Sequence, residues 1–333
     1  MKAFVVARYG KGEVHAAVLP EPPVGNRDVL VKVSAASVNP LDTMVRNGEF
    51  KQLLKYKTPF TLGHDVAGVI TRVGPGVREF AVGDQVYARP RDLRIGTFAE
   101  SIAIDQDDVA LKPAALSLHQ AAAVPLVALA AWQILVEKAA IQPGQKVLIH
   151  AGAGGLGSTL IQLAKHLGAH VATTASSARA DLVRELGADE VIDYTTQDFS
   201  RMLSGHDLVV DSVGGENLTK SLGILAPGGL AIGVTGPPDA GFAQQLGAPI
   251  LFEFVLSFLS RKVRKAAKQL GVRYSFFFMH ASGAQLRELA ALYDAGQLRP
   301  VIDSTFTFDQ TLQALAYVEG GKAKAGKVVI TLD

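Results

Sequence analysis

The sequence predicts an α/β chain in two parts: a βα-repeat unit with a parallel sheet, inserted into a β-rich fold that the last residues return to complete. Three observations predict it. Residues 1 to about 120 carry short apolar runs separated by Gly and Pro turns. From Lys146 onward, apolar runs alternate with helix-spaced segments. Beyond about residue 271 that rhythm stops.

In chain order, MKAFVVARYG is a strand ending at glycine, and DVLVKVSAASVN, from Asp28, alternates and closes in a turn. DVAGVITRVG, from Asp65, and DQVYAR, from Asp84, continue the pattern and point to a compact barrel. Near Ser117 the texture becomes alanine-rich and helical, with Pro125 as a break. Val147 to Ile149 read as a buried parallel strand. Leu160, Ile161, Leu163, Ala164 and Leu167 then recur at helical spacing, Gly168 supplies the stop, and His170 to Ala175 form the next strand. DLVRELGADEVIDY, HDLVVDSVGG and LAPGGLAIGVTG supply further βα units. From Phe242 to Gly271 a helical segment carries RKVRKAAK. That run reads as a solvated face; a membrane-surface or phosphate role is the alternative, because the adjacent LFEFVLSFL is apolar. SFFFMH reads as a strand, AQLRELAALYDAGQL as an amphipathic helix and GKVVITLD as a closing strand, all returning to the first part. The expected domains are 1–123 with 271–333, and 124–270.

The glycines Gly152, Gly154 and Gly157 satisfy GxGxxG between a strand and a helix, the context the motif requires. Gly152 is expected to make the tight turn, Gly154 to let a pyrophosphate approach, and Gly157 to allow helix-on-strand packing. The helix start at Gly155, Leu156 and Gly157 offers free N–H groups and a positive dipole end to phosphate. Where an NAD enzyme places Asp or Glu for the ribose 2′-hydroxyl, this chain has Ser176, Ser177 and Arg179, and no acid appears until Asp181. Two hydroxyls and a guanidinium suit a 2′-phosphate, so NADPH is expected over NADH. Ser212 and Val213 close the DSVGG strand at the carboxyl edge, where such sheets bind ligands.

Composition narrows the rest. A chain of 333 residues, 48% hydrophobic and 19% charged, buries a large core and is not disordered. Its net charge of +2 comes without a polybasic block, so no nucleic-acid partner is expected. The absence of cysteine excludes disulfides, thiolate nucleophiles and cysteine zinc sites. No apolar run is long enough to span a membrane, and MKAFVVARYG is too polar for a secretory signal, so a cytoplasmic protein is expected.

Several motifs in order resemble one family: VNPLDTMVRNGEF from Val38, LGHDVAGVITRVGPGV from Leu62, FAVGDQVYA from Phe80, PLVALAAWQ, AGAGGLG, LGADEVIDY and AYVEGGKAKAGKVVI. Over its whole length the chain resembles a zinc-independent medium-chain dehydrogenase/reductase of the quinone oxidoreductase type, closest in character to bacterial and plant-organelle enone and quinone reductases. The resemblance implies a GroES-like catalytic domain with an inserted Rossmann domain, and a homodimer. It also implies NADPH-dependent reduction of quinones or α,β-unsaturated carbonyls. A nucleotide-binding scaffold without catalysis and a metal-free alcohol dehydrogenase are the alternatives.

His64, in LGHD, stands where zinc-bearing members of the superfamily place a histidine ligand, but one imidazole does not hold a catalytic ion. A packed, hydrogen-bonded histidine and no metal are expected. Without that Lewis acid, hydride acceptors that spread charge onto a conjugated oxygen are favoured. The candidate catalytic residues that orient the reactants lie in VNPLDTMVRNGEF: Asn39, Asp42 and Arg46, of which the resemblance places Asn39 beside the nicotinamide. Asp42 and Arg46 stand at i and i+4, which predicts an ion pair on one helix face. Phe50 stands where many quinone reductases have Tyr, and Ala130 where relatives often have Thr, which leaves the donors to substrate open. By resemblance, Tyr194 borders the adenosine phosphate, and Lys327 reaches the cofactor. Val234 and Phe277 should wall the nicotinamide half, although the FFF cluster from Phe276 also suits a core.

Overall fold

The computed structural model describes residues 1–332. They divide into two compact units, Met1–Leu129 with His280–Asp333, and Ala130–Met279. The first unit opens with strands β1 (Lys2–Val6), β2 (Val14–Val18) and β3 (Asp28–Val38), then helix α1 (Pro40–Asn47). Strands β4 (Phe60–Thr61), β5 (Asp65–Val73), β6 (Gln85–Ala88), β7 (Ser101–Asp105) and β8 (Val109–Leu111) follow, with helix α2 (Leu118–Ala122). Helix α3 (Pro125–Trp132) carries the chain into the second unit.

The second unit alternates regularly: β9 (Lys146–Ile149), α4 (Gly155–His166), β10 (His170–Ala175), α5 (Ala180–Glu185), β11 (Glu190–Asp193), α6 (Phe199–Met202) and β12 (His206–Asp211). Then come α7 (Gly215–Gly223), β13 (Leu225–Gly233), α8 (Ala240–Gln245), α9 (Ile250–Leu259), α10 (Arg261–Gln269) and β14 (Arg273–Phe276). The chain returns to the first unit with α11 (Gly283–Asp294), β15 (Ile302–Thr307), α12 (Thr311–Glu319) and β16 (Lys327–Thr331).

In the first unit β16 sits between β15 and β3, so the last strand is an interior member of a sheet begun nearly three hundred residues earlier. β3 continues to β5, β6 and β8, and its early residues also pair with β7. Alternation gives this sheet two faces. One buries Val29, Val31, Val33, Val66, Ile70 and Ile104; the other packs Val38, Leu62, Val328 and Ile330 with Phe4 and Phe98.

The second unit holds a six-stranded sheet in the order β11-β10-β9-β12-β13-β14, every neighbour parallel. Counted from β9, this is the 3-2-1-4-5-6 order of a doubly wound dinucleotide fold, with its switch point between β9 and β12. Leu148, Ala172, Ile192, Val209 and Ala231 are buried in its core, as strands covered on both faces require.

Three sequence expectations shift. SFFFMH, assigned to the first part, supplies the end of β14, which pairs with β13 and completes the second unit's sheet, so that unit runs past residue 270 to Met279. Its start also moves from 124 to Ala130, because the Leu126 N–H at the head of α3 donates to Asp65 of β5 at 2.7 Å and stays with the first unit. The helical stretch from Phe242 is three helices, broken at Gly247 and Ser260.

Candidate active site

In the second unit the glycine loop leaves β9 at the switch point and opens α4 with Gly154 as its N-cap. A Cβ on Gly152 would lie 2.0 Å from Thr173 Oγ1, and one on Gly157 would lie 2.3 Å from Ala151 O. These two are therefore required by packing of the loop on β10 and of the helix on the loop. In the tight turn expected at Gly152 the positive φ belongs to its neighbour Ala151, at 53°. At Gly154 an added Cβ would meet nothing nearer than Ala151 O at 3.3 Å, so the fold itself nearly tolerates a side chain there. The first-turn N–H groups of Gly155, Leu156 and Gly157 have no carbonyl ahead of them in the helix, which leaves them for a phosphate.

His150, which sequence reasoning passed over, fixes this loop. Ser221 Oγ donates to Asn217 O at 2.8 Å and so accepts from His150 Nε2 at 2.9 Å. Thr174 Oγ1 accepts from Ala151 N at 3.1 Å and meets His150 Nδ1 at 3.1 Å as its donor. The ring is thereby one neutral tautomer, and burial pushes its pKa down to about 4 against a weaker pull from Asp211. Across the switch point, Ser212 Oγ donates to His150 O at 3.3 Å. Asp211 Oδ1 accepts from Val213 N at 2.8 Å and Gly214 N at 2.6 Å, holding the exposed Val213 at the turn's tip.

Ser176 stands ahead of a short turn from Ser177 to Arg179, and Arg179 is half-buried with no partner among the described residues. Asp181 pairs with Arg184 at 3.0 Å and is not directed to a ribose. Asp193, at the end of β11, hydrogen-bonds Thr195 and also Ser177, and both hold its carboxyl below the usual range. That acid near the serines comes from a neighbouring strand, out of reach of a linear reading. Tyr194 is exposed at the strand end. Val234 N donates to Asp211 O at 2.8 Å. Phe277 is buried, and its flanking Phe276 and Phe278 pack on Phe242 with ring centres 5.1 and 4.9 Å away, a core cluster.

In the first unit the predicted residues meet in a buried polar network. Asn39 precedes α1, and its N–H donates to Asp42 Oδ2 at 2.7 Å. The other oxygen, Asp42 Oδ1, meets His64 Nδ1 at 2.6 Å with both side chains fully buried. Asp65 Oδ2 accepts from Ser37 Oγ at 2.9 Å, Asn39 Nδ2 at 2.8 Å and Lys327 Nζ at 3.0 Å. Lys327 Nζ also donates to Asn39 Oδ1.

The expected Asp42–Arg46 ion pair does not form. Asp42, in the first turn, turns back to the helix N-terminus and His64, which occupy both its oxygens. Arg46, in the last turn, reaches α12 and pairs with Glu319 at 2.9 Å, lowering that carboxyl's pKa. His64 is the packed, hydrogen-bonded residue expected, with Nε2 buried and unpartnered. Asp65 and Glu319 were missed: one stands beside His64 in LGHD, but the other lies 273 positions from its partner. No group of three or more His, Cys, Asp or Glu able to hold a metal ion occurs among the described residues. A cavity of about 730 Å³ opens elsewhere in this unit, and Arg91 and Arg287 on its wall are engaged by Asp108 and Glu79; no predicted residue lines it.

Comparison with known proteins agrees with this layout. Residues 25–114 match the alcohol dehydrogenase GroES-like domain, and residues 186–330 match the domain described as zinc-binding dehydrogenase. The mouse mitochondrial NAD(P)H oxidoreductase RTN4IP1 is 37% identical over 100% of this chain and 89% of its own length. The chain belongs to the zinc-independent medium-chain dehydrogenase/reductase family, of the quinone and enone reductase type. The chloroplastic NADPH-dependent alkenal/one oxidoreductase of Arabidopsis thaliana is 33% identical over 99% of this reductase and 79% of its own length. The quinone oxidoreductase of Coxiella burnetii, 30% identical, superposes with a TM-score of 0.85 over 100% of this reductase and 99% of its own chain. This reductase is an NADPH-dependent oxidoreductase. None of its described helices is long and apolar enough to cross a membrane.

Proposed function

We propose that this reductase takes NADPH on its second unit and reduces the conjugated double bond of enones and enals, or a quinone ring. The observation that carries the reading is the switch-point loop followed by Arg179, which has no partner among the described residues, while Asp181 is turned to Arg184 and Asp193 is taken up by Thr195 and Ser177. Gly154 to Gly157 would receive the pyrophosphate, and Ser176, Ser177 and Arg179 the 2′-phosphate. Tyr194, Ser212, Val213, Val234 and Phe277 complete the expected cofactor lining. Bound NADPH supplies a hydride.

The chain's own residues orient and exclude water. Asn39, Asp42, His64, Asp65 and Lys327 hold one another, and His64 Nε2 is the one buried side-chain nitrogen or oxygen among them with no partner, so they act as positioning residues around α1 and β5. Arg46 positions α1 through Glu319. A conjugated acceptor needs only such orientation and donors at its developing enolate oxygen. Cytoplasmic residence and a homodimer belong to the same proposal, and fractionation and sedimentation velocity test them. The deciding experiment is a steady-state screen of enones, enals and quinones with NADPH. Turnover of one conjugated class supports the proposal. Tight NADPH binding with no acceptor reduced would leave a nucleotide-binding scaffold in its place.

A further inference from the structure

Six large apolar side chains of α9, Ile250, Leu251, Phe254, Val255, Phe258 and Leu259, stand between 49% and 71% exposed. They recur as adjacent pairs every four residues, which gathers them into one stripe along the helix, while Leu256 faces the protein. A helix on a protein surface ordinarily turns its polar face outward. A contiguous outward apolar stripe marks an interaction surface.

The next helix supplies the second observation. Ser260 alone separates α9 from α10, and its Oγ donates to Leu256 O at 2.9 Å, fixing the joint. α10 packs Val263, Ala266 and Ala267 on the unit's core and leaves Arg261, Lys262, Arg264, Lys265 and Lys268 exposed. It contains no acid, and none of these five cations has an ion-pair partner among the described residues. The one acid of α9, Glu253, accepts from Gln244 at 2.9 Å.

We propose that α9 and α10 form a membrane-surface docking element for an anionic phospholipid bilayer. The apolar stripe enters the headgroup boundary, and the α10 cations meet lipid phosphates. Neither helix can span, so the element lies on the surface. A second copy of this chain is disfavoured as the occupant. A two-fold contact through this patch would bring its five cations close to the partner's five, with Glu253, already held by Gln244, as the single carboxylate of the two helices on each side.

The test is co-sedimentation of the full chain with vesicles of phosphatidylcholine alone and of phosphatidylcholine with phosphatidylglycerol, at low and high salt. Wild type should pellet with the anionic vesicles, and salt should release most of it. The pair Phe254→Ser with Phe258→Ser, and separately Lys262→Glu with Lys265→Glu, should each weaken binding by roughly tenfold or more. NADPH binding should stay unchanged in both, which shows that the unit still folds. Failure of wild type to bind, equal binding to neutral vesicles, or indifference to both variants overturns the proposal. So does a wild-type dimer that the phenylalanine variant converts to monomer without any vesicle binding, because the stripe then belongs to a second copy.

Discussion

Lys327 on the last strand and Asp65 on β5 face each other at 3.0 Å with 6% and 0% of their side chains exposed. Removing one partner leaves a buried charge uncompensated. Lys327→Met should therefore cost about 3–5 kcal/mol, read as a lower denaturation midpoint at unchanged m-value. Adding Asp65→Leu to Lys327→Met should restore part of that loss. A single variant as stable as wild type would show that the pair carries no net weight.

The glycine loop separates folding from binding. Gly152→Ala should destabilise the second unit, because its Cβ would overlap Thr173 Oγ1 at 2.0 Å. Gly154→Ala should leave the melting temperature nearly unchanged and still weaken NADPH, since only the ligand needs that space. Thermal unfolding and cofactor titration on both variants give the contrast, and a stability loss at Gly154 matching that at Gly152 would contradict it.

Arg179 should matter to one cofactor only. Arg179→Ala should weaken NADPH by about 1.5–3 kcal/mol, the range for a hydrogen bond to a charged group. NADH affinity should scarcely move, because NADH brings no phosphate to the guanidinium. Equal weakening of both would give Arg179 a role in the fold or at the adenine.

His150 should impose an acid limit on stability. Its folded pKa, pushed down to about 4 by burial, lies below the ordinary 6.5. The unfolded chain therefore binds the proton first as pH falls, and stability drops between those values. No stability is lost to this group above pH 6.5, and the loss reaches on the order of 3 kcal/mol by the time the folded group titrates. Urea melts across this window should show the slope, and His150→Gln should flatten it.

Treatment with chelator should leave turnover intact, and elemental analysis should find zinc well below one per chain. His64 has one nitrogen on Asp42 and no cysteine anywhere in the sequence to join it. One tightly held zinc whose removal abolishes activity would reverse the zinc-independent assignment.

What could be read from the sequence was what short-range physics controls. The β9–α4–β10 unit follows from apolar period and three glycines, and His170–Ala175 is observed as a strand where it was expected. The Asp42–Arg46 pair failed because helical spacing says which residues share a face. It does not say that a carboxylate in the first turn prefers the helix N-terminus and His64. Lys327 meets Asp65 only after β16 inserts beside β3, and Arg46 meets Glu319 only once α12 has returned, pairings no local pattern encodes. SFFFMH misled because an edge strand of a parallel sheet and a strand of the returning segment have the same composition.

The placement of β16 inside the first sheet has a consequence for biosynthesis. The second unit is one continuous stretch and can close its sheet once β14 has left the ribosome. The first unit waits for the final strand, since β15 joins it only through β16. Until then β3 offers an unpaired apolar edge, and Asp65 has no Lys327 beside it. A nascent chain arrested before Lys327 should thus hold a protease-resistant nucleotide unit tethered to a protease-sensitive partner, with a vulnerable interval set by translation speed over the last fifty residues or so.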